Sequence, residues 1–151
     1  MVELINYLPE HAEQIVAEGD TDPSINVGNL PANWAAIRKG SPAMTGVADG
    51  RIVGCSGLEI WWPGMAEGWG VFVKDIYKYR MGLRLLKDKF YEWMDEYKLN
   101  RIQAPLRADF EDGKKLAVFV GFKCENPNPM KRYHCDDSDA LMYSIVRERN
   151  V

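Results

Sequence analysis

A short basic segment between a strand-like and a helix-like stretch is the part of this 151-residue sequence best suited to bind a ligand. The strand-like stretch is Gly68–Val73, and helical periodicity starts at about Gly82. The first N–H groups of a helix lack partners within it, and the helix dipole places positive charge at the same end. With Lys78, Arg80 and Arg84 beside them, these groups predict a site for a phosphate-bearing ligand.

Cys124, His134 and Cys135 form a second group that could do chemistry. No further Cys-x₂-Cys or His-x₃-His pair accompanies them, so we expect no metal. A Cys124 nucleophile with His134 as its base is a second interpretation, and an incidental loop pair is the third. Three cysteines without paired short spacings fit a reducing compartment.

An acidic cluster at Asp136, Asp137 and Asp139 follows directly. It could receive a cationic amine. Its structural alternative is a solvated, charge-rich loop.

Trp61-Trp62-Pro63 at the end of a predicted strand could wall a substrate groove. The alternatives are ordinary packing and a dimer contact, and the last would make the protein a homodimer.

The composition predicts one soluble domain over residues 1–151, because 46% hydrophobic and 27% charged residues are ordinary for a globular chain. A net charge of −3 argues against nucleic acid as the default partner. No apolar run reaches membrane-spanning length, and Glu3 stands where a signal peptide would be basic. We therefore expect a cytoplasmic protein with no membrane partner.

The pattern of the chain predicts an α/β mixture with a β-meander in the middle. The predicted strands are Val2–Tyr7, Met44–Ala48, Arg51–Trp62, Glu67–Val73, Arg101–Arg107, Phe122–Glu125 and Leu141–Arg147. A first helix is predicted to begin at Pro9, and three further helices are predicted at Ala32–Arg38, Gly82–Tyr97 and Lys114–Val120. Asp49-Gly50 is a strong hairpin signal. The predicted apolar faces comprise Ile15 and Val16 on the first helix, Trp34 and Ile37 on the second, and Leu86, Phe90, Trp93, Met94 and Tyr97 on the third.

Over nearly its whole length the chain resembles the GNAT superfamily of N-acetyltransferases. The family's fourth strand ends in a Leu-Tyr-Val-like triplet, here Val71-Phe72-Val73, and a helix with a Leu-Leu pair follows, here Leu85-Leu86. A later helix ends in Gly-Phe, here Gly121-Phe122. The resemblance implies a GNAT-like fold, with a mixed, mostly antiparallel sheet of about six to seven strands flanked by about four helices.

The resemblance implies that the turn between these motifs cradles the pyrophosphate of acetyl-CoA. The family pattern is [Q/R]-x-x-G-x-[G/A], and this turn is one residue shorter: Lys78 replaces the leading Arg or Gln, Gly82 matches the second Gly, and the first Gly is lost. The chain is similar in this to small phage-encoded members. The implied cofactor-binding residues are Val71, Phe72, Val73, Lys78, Tyr79, Arg80, Met81, Gly82 and Leu83. The resemblance also implies that the fourth strand separates from the fifth and exposes backbone groups of Val71 and Val73 to the pantetheine arm.

Acetyl transfer needs a base for the amine and an acid for the departing thiolate. Glu67 occupies the place of the general-base Glu in several family members, with a solvated strand-end carboxylate as its structural alternative, and Glu59 is a second candidate. Many relatives carry a Tyr that acts as the general acid where this chain has Ala117. Tyr133, Tyr143 or water would therefore protonate the departing thiolate here.

The sequence therefore predicts an acetyl-CoA-dependent transferase acting on a primary amine of a small molecule or protein. The alternative is a non-catalytic GNAT-like module with a binding or structural role, such as a phage assembly or host-interaction protein.

Overall fold

A computed structural model describes residues 1–17, 41–134 and 136–149 of the chain. The strands are β1 (Val2–Asn6), β2 (Ala43–Ala48), β3 (Arg51–Trp62), β4 (Met65–Phe72), β5 (Arg101–Arg107), β6 (Lys123–Cys124) and β7 (Ala140–Val146), and the helices are α1 (Pro9–Ala17), a 3₁₀ helix (Ile76–Tyr79), α2 (Arg80–Glu96) and α3 (Glu111–Phe119). The predicted helix over Ala32–Arg38, with Trp34 and Ile37, and the thiol of Cys135 lie outside the described residues.

The strands form one seven-stranded sheet in the order β1-β2-β3-β4-β5-β7-β6, which confirms the predicted mixed, mostly antiparallel sheet. Strands β1 to β4 form an antiparallel meander. Asp49 and Gly50 join β2 to β3 with φ angles of 50° and 79°, the left-handed conformation that a tight hairpin turn requires. Of the roughly four expected helices, the described residues contain three α-helices and the short 3₁₀ helix.

Strand β4 is parallel to β5, and the two pair only at Met65–Arg101, Ala66–Ile102 and Glu67–Gln103 within the described residues. Beyond Glu67 both strands continue without pairing to each other, and β5 pairs with β7 on its other side along its whole length. A parallel pair that stops halfway leaves a wedge-shaped opening between the two strands. This opening confirms the predicted separation of the fourth strand from the fifth.

Helices cover both faces of the sheet and bury its core. Helix α1 packs on β3 and β4 through Ala12 and Ile15. Helix α2 packs on the opposite face, where the Phe72 ring lies over Gly54 and Gly70: a Cβ built on either glycine would overlap the ring. The two glycines are therefore required by the packing of Phe72.

Three local predictions were wrong at the edges of helices. Val16 is 41% exposed, because Ala12 and Ile15, three residues apart, form the buried face of α1. Tyr97 is 39% exposed, because α2 ends one residue before it. The segment expected as an open turn is helical, since the 3₁₀ helix leads directly into α2 at Arg80.

Candidate active site

The first turn of α2 borders an open groove of about 470 Å³ that is lined by Tyr77, Arg80, Asp112, Lys115 and Phe119. The Tyr77 hydroxyl donates a 2.6 Å hydrogen bond to the carbonyl oxygen of Asp112, which ties the 3₁₀ helix to the start of α3. Within the described part of the chain Arg80 and Lys115 form no ion pair, so both cations are available to an anion in the groove.

Helix α2 begins without a side-chain cap, because its N-cap residue Tyr79 makes no capping hydrogen bond. Its first turn also contains no acidic residue. The positive end of the helix dipole and the N–H groups of the first turn therefore lie beside Arg80, the first residue of the helix. This arrangement suits a phosphate group.

An internal ion-pair network holds the turn that precedes α2. Asp75 accepts a 3.1 Å hydrogen bond from Arg51 and lies 3.7 Å from the ammonium of Lys78. Arg51 also donates to the hydroxyl of Tyr79 at 3.1 Å. The hydrogen bond from Arg51 lowers the pKa of the Asp75 carboxyl. Lys78 therefore shares its charge with Asp75, whereas Arg80 remains unpaired in the described residues.

Gly82 faces β1: a Cβ built on it would lie 2.9 Å from Cγ1 of Val2. Leu83, next to it, is buried in the core, and Met81 is 59% exposed. The absence of a side chain at Gly82 thus has a packing cause. Roles for Met81, Gly82 and Leu83 in binding a cofactor remain predictions.

The backbone of β4 shows which of its groups face the opening toward β5. The N–H of Val73 donates to the carbonyl of Val53 on β3, at 3.1 Å. Backbone groups alternate along a strand, so those of Val71 also point to β3, and those of Gly70 and Phe72 point to the opening. The sequence assigned the open backbone positions to Val71 and Val73, and the bond to Val53 corrects that assignment.

An apolar cavity of about 30 Å³ lies under the opening, between β4, β5 and the two following helices. Its lining residues include Phe72, Ala104, Leu106 and Ala117. Ala117, at the position where the sequence analysis looked for a general-acid Tyr, contributes only a methyl group to this lining. A cavity of this size holds only about one or two water molecules, so it marks an apolar floor beneath the opening.

Glu67 stands at the point where β4 and β5 separate, directly opposite Glu59 on β3 and Gln103 on β5. Tyr133, on the loop between β6 and β7, lies close enough to Glu67 that the carboxylate adds to the effect of burial in raising the pKa of its phenol. The structure thus brings together all three predicted catalytic residues, Glu67, Glu59 and Tyr133. Tyr143 instead lies beside Cys124, where burial raises its pKa.

The acidic cluster is held by ion pairs within the molecule. Asp136 accepts from Arg107 at 2.7 Å, Asp137 from Arg132 at 2.6 Å, and Asp139 from Lys131 at 3.2 Å. These pairs favour the structural interpretation of the cluster over the capture of a cationic substrate.

Cys124 and His134 lie in different environments, one exposed and the other buried. The Cys124 thiol is exposed and donates to the carbonyl of Asn126. His134 is 8% exposed, and burial lowers the pKa of its imidazole. No described group of three or more His, Cys, Asp and Glu residues could hold a metal ion.

Trp61 and Trp62 are exposed at the end of β3.

The sequence did not reveal Lys115 or Asp75 as parts of the site. Lys115 is one of two adjacent lysines in α3, and only the packing of α3 beside α2 shows which of them borders the groove. Asp75 follows the strand directly, so its place in the turn was a usable signal, but its pairing with Arg51 depends on the β2–β3 hairpin.

In the described ranges, no helix is both long and apolar enough to cross a membrane.

The sequence matches no protein-family model and no curated protein sequence. The structure, in contrast, is similar to many solved structures. The GNAT-family acetyltransferase from Bacillus anthracis has a TM-score of 0.72 and 16% identity, covering 98% of this chain and 96% of that one. The ribosomal-protein-S18-alanine N-acetyltransferase from Escherichia coli has a TM-score of 0.73 and 14% identity, covering 99% and 97%.

The protein yncA from Salmonella typhimurium, whose structure contains its cofactor acetyl-CoA, has a TM-score of 0.71 and 11% identity, covering 100% of this chain and 96% of that one. Likeness over the full length of both chains at such low identity shows a shared fold. With a seven-stranded sheet that opens between β4 and β5 and a helix starting at that opening, this chain has the GNAT fold, the fold of the GNAT-family N-acetyltransferases.

Proposed function

We propose that this protein is an acetyl-CoA-dependent N-acetyltransferase that moves an acetyl group to a primary amine by direct attack. One observation carries the proposal: the pairing of β4 with β5 ends at Glu67, so that a carboxylate lies at the apex of the opening. The opening leads to the start of α2, where two cations without an ion pair in the described residues border a groove. A thioester at the apex and a pyrophosphate at the groove would fit these two features.

The pyrophosphate would bind the N–H groups at the start of α2, with Arg80 and Lys115 on either side. The pantetheine chain would follow β4 and bond to the backbone of Gly70 and Phe72 as an added strand would. Lys78 and Tyr79 would act mainly by shaping the turn, since Asp75 and Arg51 engage them. This division assigns phosphate recognition chiefly to side chains rather than to a glycine-rich loop.

Glu67 would accept a proton from the ammonium form of the substrate, directly or through a water molecule. The amine nitrogen would then attack the acetyl carbonyl carbon and release one of its two protons to water, and the carbon–sulfur bond would break to give the amide and a thiolate. Tyr133, whose raised pKa keeps the phenol protonated at neutral pH, or water would return a proton to the sulfur. Glu59, across from Glu67, adds a second negative charge that attracts a cationic amine.

Two structural neighbours support the proposal by what they do. One acetylates the alanine of a ribosomal protein, and another holds acetyl-CoA. The test is a transfer assay with radiolabelled acetyl-CoA and a panel of primary amines. Formation of labelled amide that depends on Glu67 would support the proposal, and acetyl-CoA binding without transfer to any amine would oppose it.

A non-catalytic GNAT-like module is the second candidate. The shortened turn and Ala117 in place of the family's Tyr favour it. It predicts that no labelled amide forms with any amine of the panel, whether or not acetyl-CoA binds.

A further inference from the structure

Two buried hydrogen-bond donors on the α1 face of the sheet have no partner among the residues that the structure describes. They are the Tyr7 hydroxyl and the indole N–H of Trp69, and both atoms are sealed from solvent. The Trp69 side chain is 2% exposed. Burying a donor without an acceptor costs stability, and native proteins keep few such groups without a reason. Two of them in contact therefore indicate a site kept for an acceptor.

The two side chains are held in place by their neighbours. The Tyr7 ring packs edge to face against Trp69, with ring centroids 5.2 Å apart, and has His11 on another side at 6.3 Å. His11 is fixed in turn, because its Nδ1 accepts from the backbone N–H of Leu8 at 3.1 Å and lies 2.8 Å from the hydroxyl of Thr45. The donors are thus held in fixed orientations before a ligand arrives.

The donor pair lies on the same face of the sheet as the proposed base. Trp69 follows Glu67 by two residues on β4, so both side chains project toward the α1 face. The indole extends over Gly57 of β3: a Cβ on Gly57 would lie 2.9 Å from Cζ2 of Trp69. A molecule whose amine reaches Glu67 would therefore place its neighbouring atoms near Trp69.

The charges around the pair select a neutral acceptor. Burial raises the pKa of Tyr7, and Glu13 and Glu10 add to the effect, so the phenol stays a proton donor. No cation of the described residues contributes to this shift. Carboxylates at Glu10 and Glu13, with Glu59 and Glu67 further along the face, repel a ligand carboxylate and attract an ammonium group. A neutral carbonyl oxygen next to a cationic amine meets both conditions.

We propose that Tyr7 and Trp69 form an acceptor-substrate subsite that binds the carbonyl oxygen of an α-amino amide, the chemistry of a peptide N-terminus. This inference rests on the proposed function and deepens it by naming the substrate class. It predicts discrimination against amines without a carbonyl and against free amino acids, whose carboxylate carries a negative charge. The discriminating element is a pair of donors that a carbonyl oxygen satisfies and an alkyl group leaves unpaired.

The kinetic test compares alaninamide, alanine and isopropylamine as acceptors for the wild type and for Tyr7→Phe. The three amines differ in basicity, so the measured quantity is the kcat/KM ratio of alaninamide to isopropylamine in the variant, divided by the same ratio in the wild type. Basicity cancels in this quotient. We expect a fall of about tenfold, typical of one lost hydrogen bond. Tyr97→Phe, which removes an exposed hydroxyl at the end of α2, is the matched control and should leave the quotient at one. An unchanged quotient for Tyr7→Phe overturns the proposal.

Two readouts do not depend on catalysis. Removing an unpartnered hydroxyl should leave the melting temperature of Tyr7→Phe equal to or above that of the wild type, whereas a fall of several degrees would show a structural partner and overturn the proposal. In a ¹⁵N NMR titration of the wild type, the assigned indole N–H of Trp69 should shift with alaninamide and not with isopropylamine. If acetyl-CoA does not bind, the proposed function fails, and this titration still decides the subsite: equal shifts with both amines, or none, overturn it.

Discussion

Glu67 and Gln103 form the last residue pair between β4 and β5. One residue further along, the two strands have separated, and the chain has created an opening with a carboxylate at its apex. The opening is also close along the chain to the start of α2, because only a short connection with a 3₁₀ helix separates the end of β4 from α2. The proposed chemistry and the proposed phosphate site are thus joined by a single strand.

Replacing Glu67 with Gln should lower turnover by roughly 10²–10⁴-fold, the usual loss when a general base is removed. The shape of the side chain is kept, so the affinity for acetyl-CoA should hardly change. The pH–rate profile should also lose its acidic limb. Steady-state kinetics with calorimetric binding measure these effects separately.

Glu96→Gln, at the far end of α2, is the matched control and should behave like the wild type. A full rate for Glu67→Gln across the pH range, together with a large loss for Glu59→Gln, would move the base to the facing strand.

Removing either cation that lines the groove should weaken acetyl-CoA binding. Arg80→Ala and Lys115→Ala should each cost about 1–3 kcal/mol, because each loses a charge-assisted hydrogen bond to phosphate. Lys123→Ala removes an exposed lysine on β6 and serves as the control. Wild-type affinity in both groove variants would place the ligand elsewhere.

Much of the fold could be predicted from the sequence, because alternation and turn residues are local signals. β3 and β5 have their predicted bounds, and Asp49-Gly50 forms the predicted hairpin. The residues of the candidate site were harder to predict from the sequence. The partner of the Val73 N–H depends on strand register, and the groove role of Lys115 depends on how two helices pack. Neither property is encoded in the spacing of residues along one element.

Substituting Gly82 should affect folding more than binding. Gly82→Ala places a methyl group 2.9 Å from Val2, and such overpacking typically costs about 1–3 kcal/mol. Denaturant unfolding should show this loss, and the loss should shrink in a Val2→Ala background, where the clash is relieved. A penalty of equal size in both backgrounds would show that Val2 is not its cause. Acetyl-CoA affinity of the folded variant should stay within about twofold, less than 0.5 kcal/mol, of the wild type.

Asp75 should stabilise the protein in a pH-dependent way. Its pKa is lowered from the ordinary value of 3.8 by Arg51, so its contribution is present above that value and is lost as the pH falls through the lowered pKa of the folded state. At pH 7 the free energy of unfolding of Asp75→Asn should therefore be lower than that of the wild type, by at most about 1 kcal/mol for this partly exposed pair. The variant should accordingly melt at a lower temperature. Thermal melts from pH 7 to pH 2 should show the difference closing only below pH 4. A constant difference would point to shape rather than charge.

A calorimetric titration of the wild-type protein with acetyl-CoA at low and high ionic strength tests the central claim most directly. We predict micromolar affinity at low salt that falls markedly as salt is added, because Arg80, Lys115 and Lys78 are exposed and their charges are screened. Dephospho-CoA, with one phosphate fewer, should show a weaker salt dependence. Absence of binding even at low salt would contradict the acetyltransferase proposal and leave the GNAT fold as a scaffold in this protein.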